Sequence, residues 1–316
     1  MSGFSWLKTP LPEVAVEIDR THVGVARLEW RGGQPTVAAY ALEPLAAGLV
    51  SPAIAALNLA DVGAVGQAVS RALKLVGGRT SRVALVVPDT VAKVSLVRLE
   101  TVPARRDDLR EIVRWQMRKS APFPVEQAVL SVSPGVPVAG GGREFVVALA
   151  REDVVRQYEQ ACAMAGAHAG LVDLATFSVL NGVMAGGGAS SGDWLLVHVA
   201  DTYITLAVVR GEHLIFFRHR SDESEGTLAD LIHQTAMYYE DRLQGGGITR
   251  VWLAGSAALT GSGVVRRGLE GRLGVGVEVV DPRTAATLTD RMAPTPDLAD
   301  TLAPLVGVLS RERTAA

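Results

Sequence analysis

Six histidines, one cysteine and a row of arginines are the side chains from which chemistry could be built in this 316-residue sequence. His22, His168, His198, His213, His219 and His233 show no metal-ligand spacing; His213 and His219 share a strand face but stand too far apart for one ion. Cys162 is alone, so it makes neither a cysteine zinc cluster nor an intramolecular disulfide, and a reducing compartment is expected. Gly188-Ala189-Ser190-Ser191-Gly192 has the form of a nucleophile elbow. That motif needs a strand before it and a helix after it, whereas here a helix precedes and a strand follows, so it reads as a linker. Gly261-Ser262-Gly263, with Asp281 after the next strand, suggests a dinucleotide oxidoreductase, but Arg266 stands at the third glycine position. No catalytic residue and no metal ligand is assigned on these grounds.

Arginine is more informative. Arg106, Arg110, Arg114 and Arg118 recur at four-residue spacing in a predicted helix over 106–119, forming one ridge beside an apolar ridge of Leu109, Val113 and Met117. The ridge suits an acidic segment of a partner or an anionic membrane surface. A solvated face is the alternative, since Asp107, Asp108 and Glu111 partly neutralise it and favour the helix start. Over the whole chain 31 Lys plus Arg meet 33 Asp plus Glu, a net charge of −2, which argues against a general nucleic-acid role.

These side chains require an α/β framework. Hydrophobic residues make up 48% of the chain but aromatics only 5%, while 33 glycines and 15 prolines supply turns. Leu174–Gly192, the longest uncharged stretch, is broken by Asn181, Gly186-Gly187-Gly188 and Ser190-Ser191, and Met1–Pro10 has no apolar core of signal-peptide length. Membrane association is therefore expected through a partner or a surface patch. Strands are predicted at Val14–Asp19, Val23–Trp30 and Pro35–Tyr40, followed by a helix over Asp61–Val76. The plan repeats at Trp194–Val199, Tyr203–Arg210 and His213–Arg218, followed by a helix over Thr227–Leu243. Further strands are expected at Arg82–Val87, Val94–Leu99, Val129–Val132, Phe145–Leu149, Leu171–Leu174, Arg250–Ala254 and Val277–Val280. Helices are expected at Glu152–Ala165, Thr176–Met184, Val264–Leu273 and within Asp297–Arg311. A duplicated unit with an insert in one copy implies two α/β lobes facing a cleft: residues 1–185 with an insert at about 80–150, and residues 193–316.

This arrangement resembles the actin-like ATPase superfamily and, more narrowly, the type IV pilus assembly protein PilM family. The resemblance rests on Glu111-Ile112-Val113-Arg114-Trp115-Gln116 leading into Ala121-Pro122-Phe123-Pro124-Val125-Glu126, on Val146–Ala150 with the helix Asp153–Ala165, and on Val172-Asp173-Leu174-Ala175-Thr176-Phe177. Leu302–Val308 resembles the closing helix of that family. The implied fold is a pair of ribonuclease H-like lobes around a cleft, with a small insert subdomain in the first and a shortened insert in the second.

The resemblance implies ATP with Mg²⁺ as the ligand to consider, held by a turn in each lobe. The first turn maps to Glu17-Ile18-Asp19-Arg20-Thr21-His22, where Asp19 replaces a glycine and Glu17 an aspartate. A carboxylate about 4 Å from a phosphate charge repels it by several kcal/mol unless a metal lies between; Arg20, Thr21 and His22 are the offsetting donors. The second turn maps to His198-Val199-Ala200-Asp201-Thr202, where His198 replaces the acid and Ala200 the glycine. Loss of that acid removes the usual organiser of Mg²⁺. The adenosine motif maps to Leu253-Ala254-Gly255-Ser256, and Arg20, Thr21, His22, Asp201, Thr202, Gly255 and Ser256 are the candidate nucleotide contacts. These departures point to a scaffold with little or no ATP hydrolysis; an active kinase or ATPase is the alternative, with Asp201 as its acid.

The resemblance further implies a cytoplasmic protein at the inner face of the inner membrane, binding the tail of a PilN-like bitopic protein alongside other pilus platform proteins. Arg110, Arg114, Trp115, Arg118 and Phe123 are the candidate partner contacts, with core packing of Trp115 and Phe123 as the competing reading.

Overall fold

A computed structural model describes residues 12–77, 81–138, 140–188, 192–221, 227–255, 263–289, 292–293 and 295–311. The alternation near the start becomes a meander of β1 (Val14–Ile18), β2 (His22–Arg31) and β3 (Gln34–Pro44). Gly32 and Gly33 connect β2 to β3 with φ of 58° and 82°, the two positive dihedrals that a type I′ hairpin needs. Helix α1 (Val62–Val76) follows, its first turn capped by the Asp61 carboxylate, which accepts from the Ala64 N–H at 3.0 Å. β4 (Arg82–Val87) pairs parallel with β1, β8 (His168–Leu174) parallel with β4, and β14 (Thr287–Leu288) parallel with β3. The sheet order is β14-β3-β2-β1-β4-β8.

Both faces of this sheet are covered, which is why β1 is apolar nearly throughout. Val14, Val16 and Ile18 face α1 and α3 (Glu152–Met164). Ala15, Ala26 and Ala84 face the closing helix α7 (Pro296–Ser310), and their small side chains let it lie close.

The second half repeats the plan with β9 (Asp193–Val199), β10 (Tyr203–Arg210) and β11 (His213–Ser221), joined by β12 (Ile248–Ala254) and β13 (Val277–Val279) in the order β11-β10-β9-β12-β13. One face packs on α5 (Leu228–Leu243) and α6 (Val264–Leu273), the other on α4 (Ala175–Ala185). Helices α4 and α7 cross between the sheets at glycine: a Cβ on Gly307 would stand 1.8 Å from the Ser178 carbonyl oxygen. The chain after β13 thus returns to the first sheet through β14 and α7, so order in sequence does not by itself delimit the lobes.

The insert is a separate sheet of β5 (Ala92–Leu99), β6 (Ala128–Val138) and β7 (Gly142–Arg151), ordered β5-β7-β6 and backed by α2 (Arg106–Met117). Val113 and Met117 are buried there with Leu109 beside them, as the apolar ridge predicts. β6 runs well past the expected Val132, through Pro134 and Pro137. An edge strand tolerates prolines because one side needs no donors, and its register shifts between those two residues. Two meander-led sheets with this insert form the duplicated lobes around a cleft that the sequence implies. Residues 222–226, where the second insert would stand, lie outside the described residues.

Candidate functional site

The duplication extends to single backbone bonds at the cleft. Asp19 N–H donates to the His22 carbonyl at 3.0 Å in the first turn, and Ala200 N–H donates to the Tyr203 carbonyl at 2.9 Å in the second. The turns touch, since the Thr21 hydroxyl donates to Asp201 at 3.2 Å and also lies 3.1 Å from His22 Nδ1. Arg20 is exposed and Thr202 half-buried. Ser256 lies outside the described residues, as do Ala189–Ser191 of the elbow-like motif and Gly261-Ser262.

Burial sets the charge of this region. It raises the Glu17 carboxyl well above the ordinary carboxylate range, with Asp19 and Asp89 adding to the effect. Asp19 is raised for the same reason, opposed by the Arg20 backbone N–H. His198 is lowered by burial, against the pull of Asp89 and Asp19, which favours the neutral ring.

Behind the turns lies a cluster around Asp89, a residue with no solvent exposure in the short 3₁₀ turn Asp89–Val91 between β4 and β5. Its carboxylate accepts from the Thr176 N–H at 3.0 Å, the Thr205 hydroxyl at 2.6 Å and, over a shorter contact, the Thr176 hydroxyl. Its own N–H donates to the Tyr203 phenol oxygen at 3.2 Å. Thr176 Oγ1 also lies 2.7 Å from His198 Nδ1. Because the Thr176 proton goes to Asp89, Nδ1 must be the protonated nitrogen of His198 and donate to Oγ1. Asp89, Thr176, Tyr203 and Thr205 are not identified from sequence. The available signal is Val87-Pro88-Asp89, an acid placed directly after a central strand, where open α/β sheets gather their functional groups.

Gly255 keeps its glycine for packing. With φ of 82°, a Cβ there would stand 1.9 Å from the Val199 carbonyl oxygen. The residues present do not suit a magnesium-bound triphosphate. Both turns lack the glycine that admits phosphate, and the Thr176 and Thr205 hydroxyls already serve Asp89.

On the insert, Arg114 donates to the Val125 carbonyl at 2.8 Å and Arg118 pairs with Glu126 at 2.9 Å. Two of the ridge arginines therefore hold the segment after α2. Phe123 packs on the insert core, Arg110 is exposed, and Trp115 is 68% exposed. None of these five lines the groove that opens between the insert and the first sheet. That groove encloses a cavity of about 160 Å³, with Ser131 and Ser133 of β6, Val146 and Ala148 of β7, Val172 of β8 and Phe177 of α4 among its walls. Its charged members are Asp173 and Arg311, paired at 3.4 Å. Burial raises the Asp173 carboxyl to about 6 against the opposing pull of Arg311.

Duplicated sheets that meet across a cleft through matched turns define an actin-like protein. The family model described as type IV pilus assembly protein PilM matches residues 15–225, more than half the chain, and the chain belongs to that family. A solved PilM–PilN type IV pilus biogenesis complex superposes with a TM-score of 0.78 at 19% identity, covering 96% of this chain and 99% of the other. A Bacteroides thetaiotaomicron protein with an actin-like ATPase fold follows at TM-score 0.54 and 7% identity, covering 98% and 99%. The ethanolamine utilization protein EutJ from Carboxydothermus hydrogenoformans gives 0.50 at 12% identity, covering 96% and 90%. At these identities the superpositions speak for the fold.

Proposed function

We propose that this PilM-family chain is a protein-binding scaffold of the type IV pilus assembly platform, and that it receives the extended N-terminal tail of a PilN-like membrane protein. The observation carrying this reading is the groove between the insert and the first sheet. It is apolar along its floor, bears two serines on an edge strand, and has one polar anchor in Asp173 with Arg311. Such a site offers side-chain pockets and main-chain partners together, which is how extended peptides are recognised. A likeness to a structure that contains a PilN chain supports the same partner. The scaffold stands at the inner face of the inner membrane, held there by its partner. No helix among the described residues is long and apolar enough to cross a membrane.

The cleft of this scaffold turns over little or no ATP. An ATPase reading needs an acid in the second turn to organise Mg²⁺, and His198 stands where the resemblance places that acid. The division into lobes near residues 185–193 belongs to the same proposal, with α7 returning to the first sheet. Calorimetric titration with a synthetic peptide of the PilN-like tail tests the docking claim. Saturable binding is expected, and absence of heat together with absence of competition at high peptide concentration would remove it.

A further inference from the structure

We propose that Asp89 is an inter-lobe tie, a positioning residue whose buried carboxylate fixes the second sheet against the first and so sets the shape of the groove. The part about the groove's role rests on the docking reading above. Asp89 follows β4 and leads into β5, so it belongs at once to the first sheet and to the insert. Two of the groups bonded to it, the Thr205 hydroxyl and the Tyr203 phenol, come from β10 in the second sheet. Two more come from Thr176 at the start of α4, the helix that joins the lobes.

A fully buried carboxylate is tolerated only when donors surround it. Hydroxyl and amide donors fill that role here, and no Arg or Lys among the described residues is bonded to it. The arrangement is therefore demanding: moving the second sheet away strips the Thr205 donor from the buried carboxyl and the Tyr203 acceptor from the Asp89 backbone N–H. One side chain of the first lobe thus bonds groups from the second sheet and from the joining helix at once.

The tie lies directly behind the groove. Val87 and Val91 flank Asp89, Leu174 and Phe177 flank Thr176, and all four line the cavity. A shift of β10 is transmitted through Thr205 and Tyr203 to the two junctions that form the groove wall.

The test is hydrogen–deuterium exchange by mass spectrometry on the full chain, with Thr205→Val as the main variant. It keeps the shape of the side chain, lies wholly in the second sheet and removes one donor to Asp89. Exchange should rise by about threefold to tenfold, the worth of one such hydrogen bond, in residues 86–92 and 175–178 across the cleft as well as in β10. Thr205→Ser, which restores the hydroxyl, should behave as wild type. In Asp89→Asn/Thr205→Val the rise should not exceed that of the larger single variant. A rise confined to the second sheet, no rise, or additive effects would overturn the tie. Affinity for the PilN-like tail peptide should fall in Thr205→Val; unchanged affinity beside increased exchange would remove the groove half of the proposal. If the wild-type chain fails to bind the peptide at all, the docking reading falls, and the exchange data still decide the tie.

Discussion

Thr21 donates its hydroxyl to the carboxylate of Asp201 at 3.2 Å, although 180 residues separate them in sequence. Two turns that would flank a phosphate in a nucleotide-using relative therefore contact each other. Glu17 and Asp19 lie beside them, their carboxyls pushed toward the neutral form by burial. Mg²⁺-ATP at millimolar concentration should shift the melting temperature by less than about 1 °C. A ligand present at a hundred times its Kd would add about 2.7 kcal/mol, several degrees for a chain of this size. A shift of that size by differential scanning fluorimetry, with phosphate release lost in Asp201→Ala, would contradict the scaffold reading.

Two glycines separate packing from conformation. Gly255→Ala forces a Cβ to within 1.9 Å of the Val199 carbonyl oxygen at φ of 82°, and rigid backbone is what must move. A loss of about 3 kcal/mol or more is expected. Gly32 also has positive φ, 58°, but nothing lies within 4 Å of the added Cβ. Gly32→Ala should cost only the conformational term, about 1–2 kcal/mol. Urea unfolding midpoints of the two variants give the comparison, and equal losses would show that the close approach to Val199 carries no weight.

Asp173 gives a pH signature. Its carboxyl is raised to about 6 by burial, above the unfolded value near 3.8. Between these values the folded chain holds a proton that the unfolded chain has released, so this group lowers stability as pH rises from about 4 to 6, with no further change above. Roughly two pK units correspond to about 3 kcal/mol at most. Asp173→Asn should lack that slope, so the two pH–stability profiles diverge between about pH 4 and 6 and the variant is more stable than wild type at pH 7. Parallel profiles would mean that Asp173 is solvated or fully compensated by Arg311.

Local pattern carried most of the fold. Glycines at 32 and 33 define a hairpin, and Leu109, Val113 and Met117 at four-residue spacing define the buried face of α2. The two-residue β14 is too short for any periodicity to register, and the part of β6 beyond Val132 was hidden by prolines that its edge position permits. The site was less legible for a different reason. Asp89, Thr176, Tyr203 and Thr205 lie on three elements, and their bonds span 87 to 116 residues of sequence. No spacing rule connects them. The departures at residues 17–22 and 198–202, with Asp19 and Ala200 where glycines are expected and His198 where an acid is, could be seen in the sequence, whereas the group that occupies the donors behind them could not.

The arginines of α2 should separate by what each one bonds. Arg114 satisfies the Val125 carbonyl at 2.8 Å from a half-buried position, so Arg114→Ala should cost about 1–1.5 kcal/mol. Arg118 and Glu126 are both largely exposed, and Arg118→Ala should cost no more than about 0.5 kcal/mol, less in high salt. Arg110→Ala, at an exposed position, should fall within about 0.5 kcal/mol of wild type. Chemical denaturation in low and high salt would rank them, and a large loss in Arg110→Ala would reveal a contact that the fold does not account for.

Groove and helix face offer two docking surfaces, and one pair of variants decides between them. Ala148 is in β7, on the side facing the cavity, while its neighbours Val147 and Leu149 face the insert core. Ala148→Phe fills space that is otherwise open, so it should leave stability within about 1 kcal/mol of wild type while lowering affinity for the PilN-like tail by about tenfold or more, roughly 1.4 kcal/mol. Trp115 stands on the outer face of α2, away from the cavity and mostly in solvent. Trp115→Ala should leave peptide affinity unchanged within a factor of about two, since it lines no part of the groove. The reverse outcome, with Trp115→Ala losing affinity and Ala148→Phe retaining it, would move the docking surface to the exposed face of α2, where Ile112 lies one turn before Trp115 and is likewise exposed.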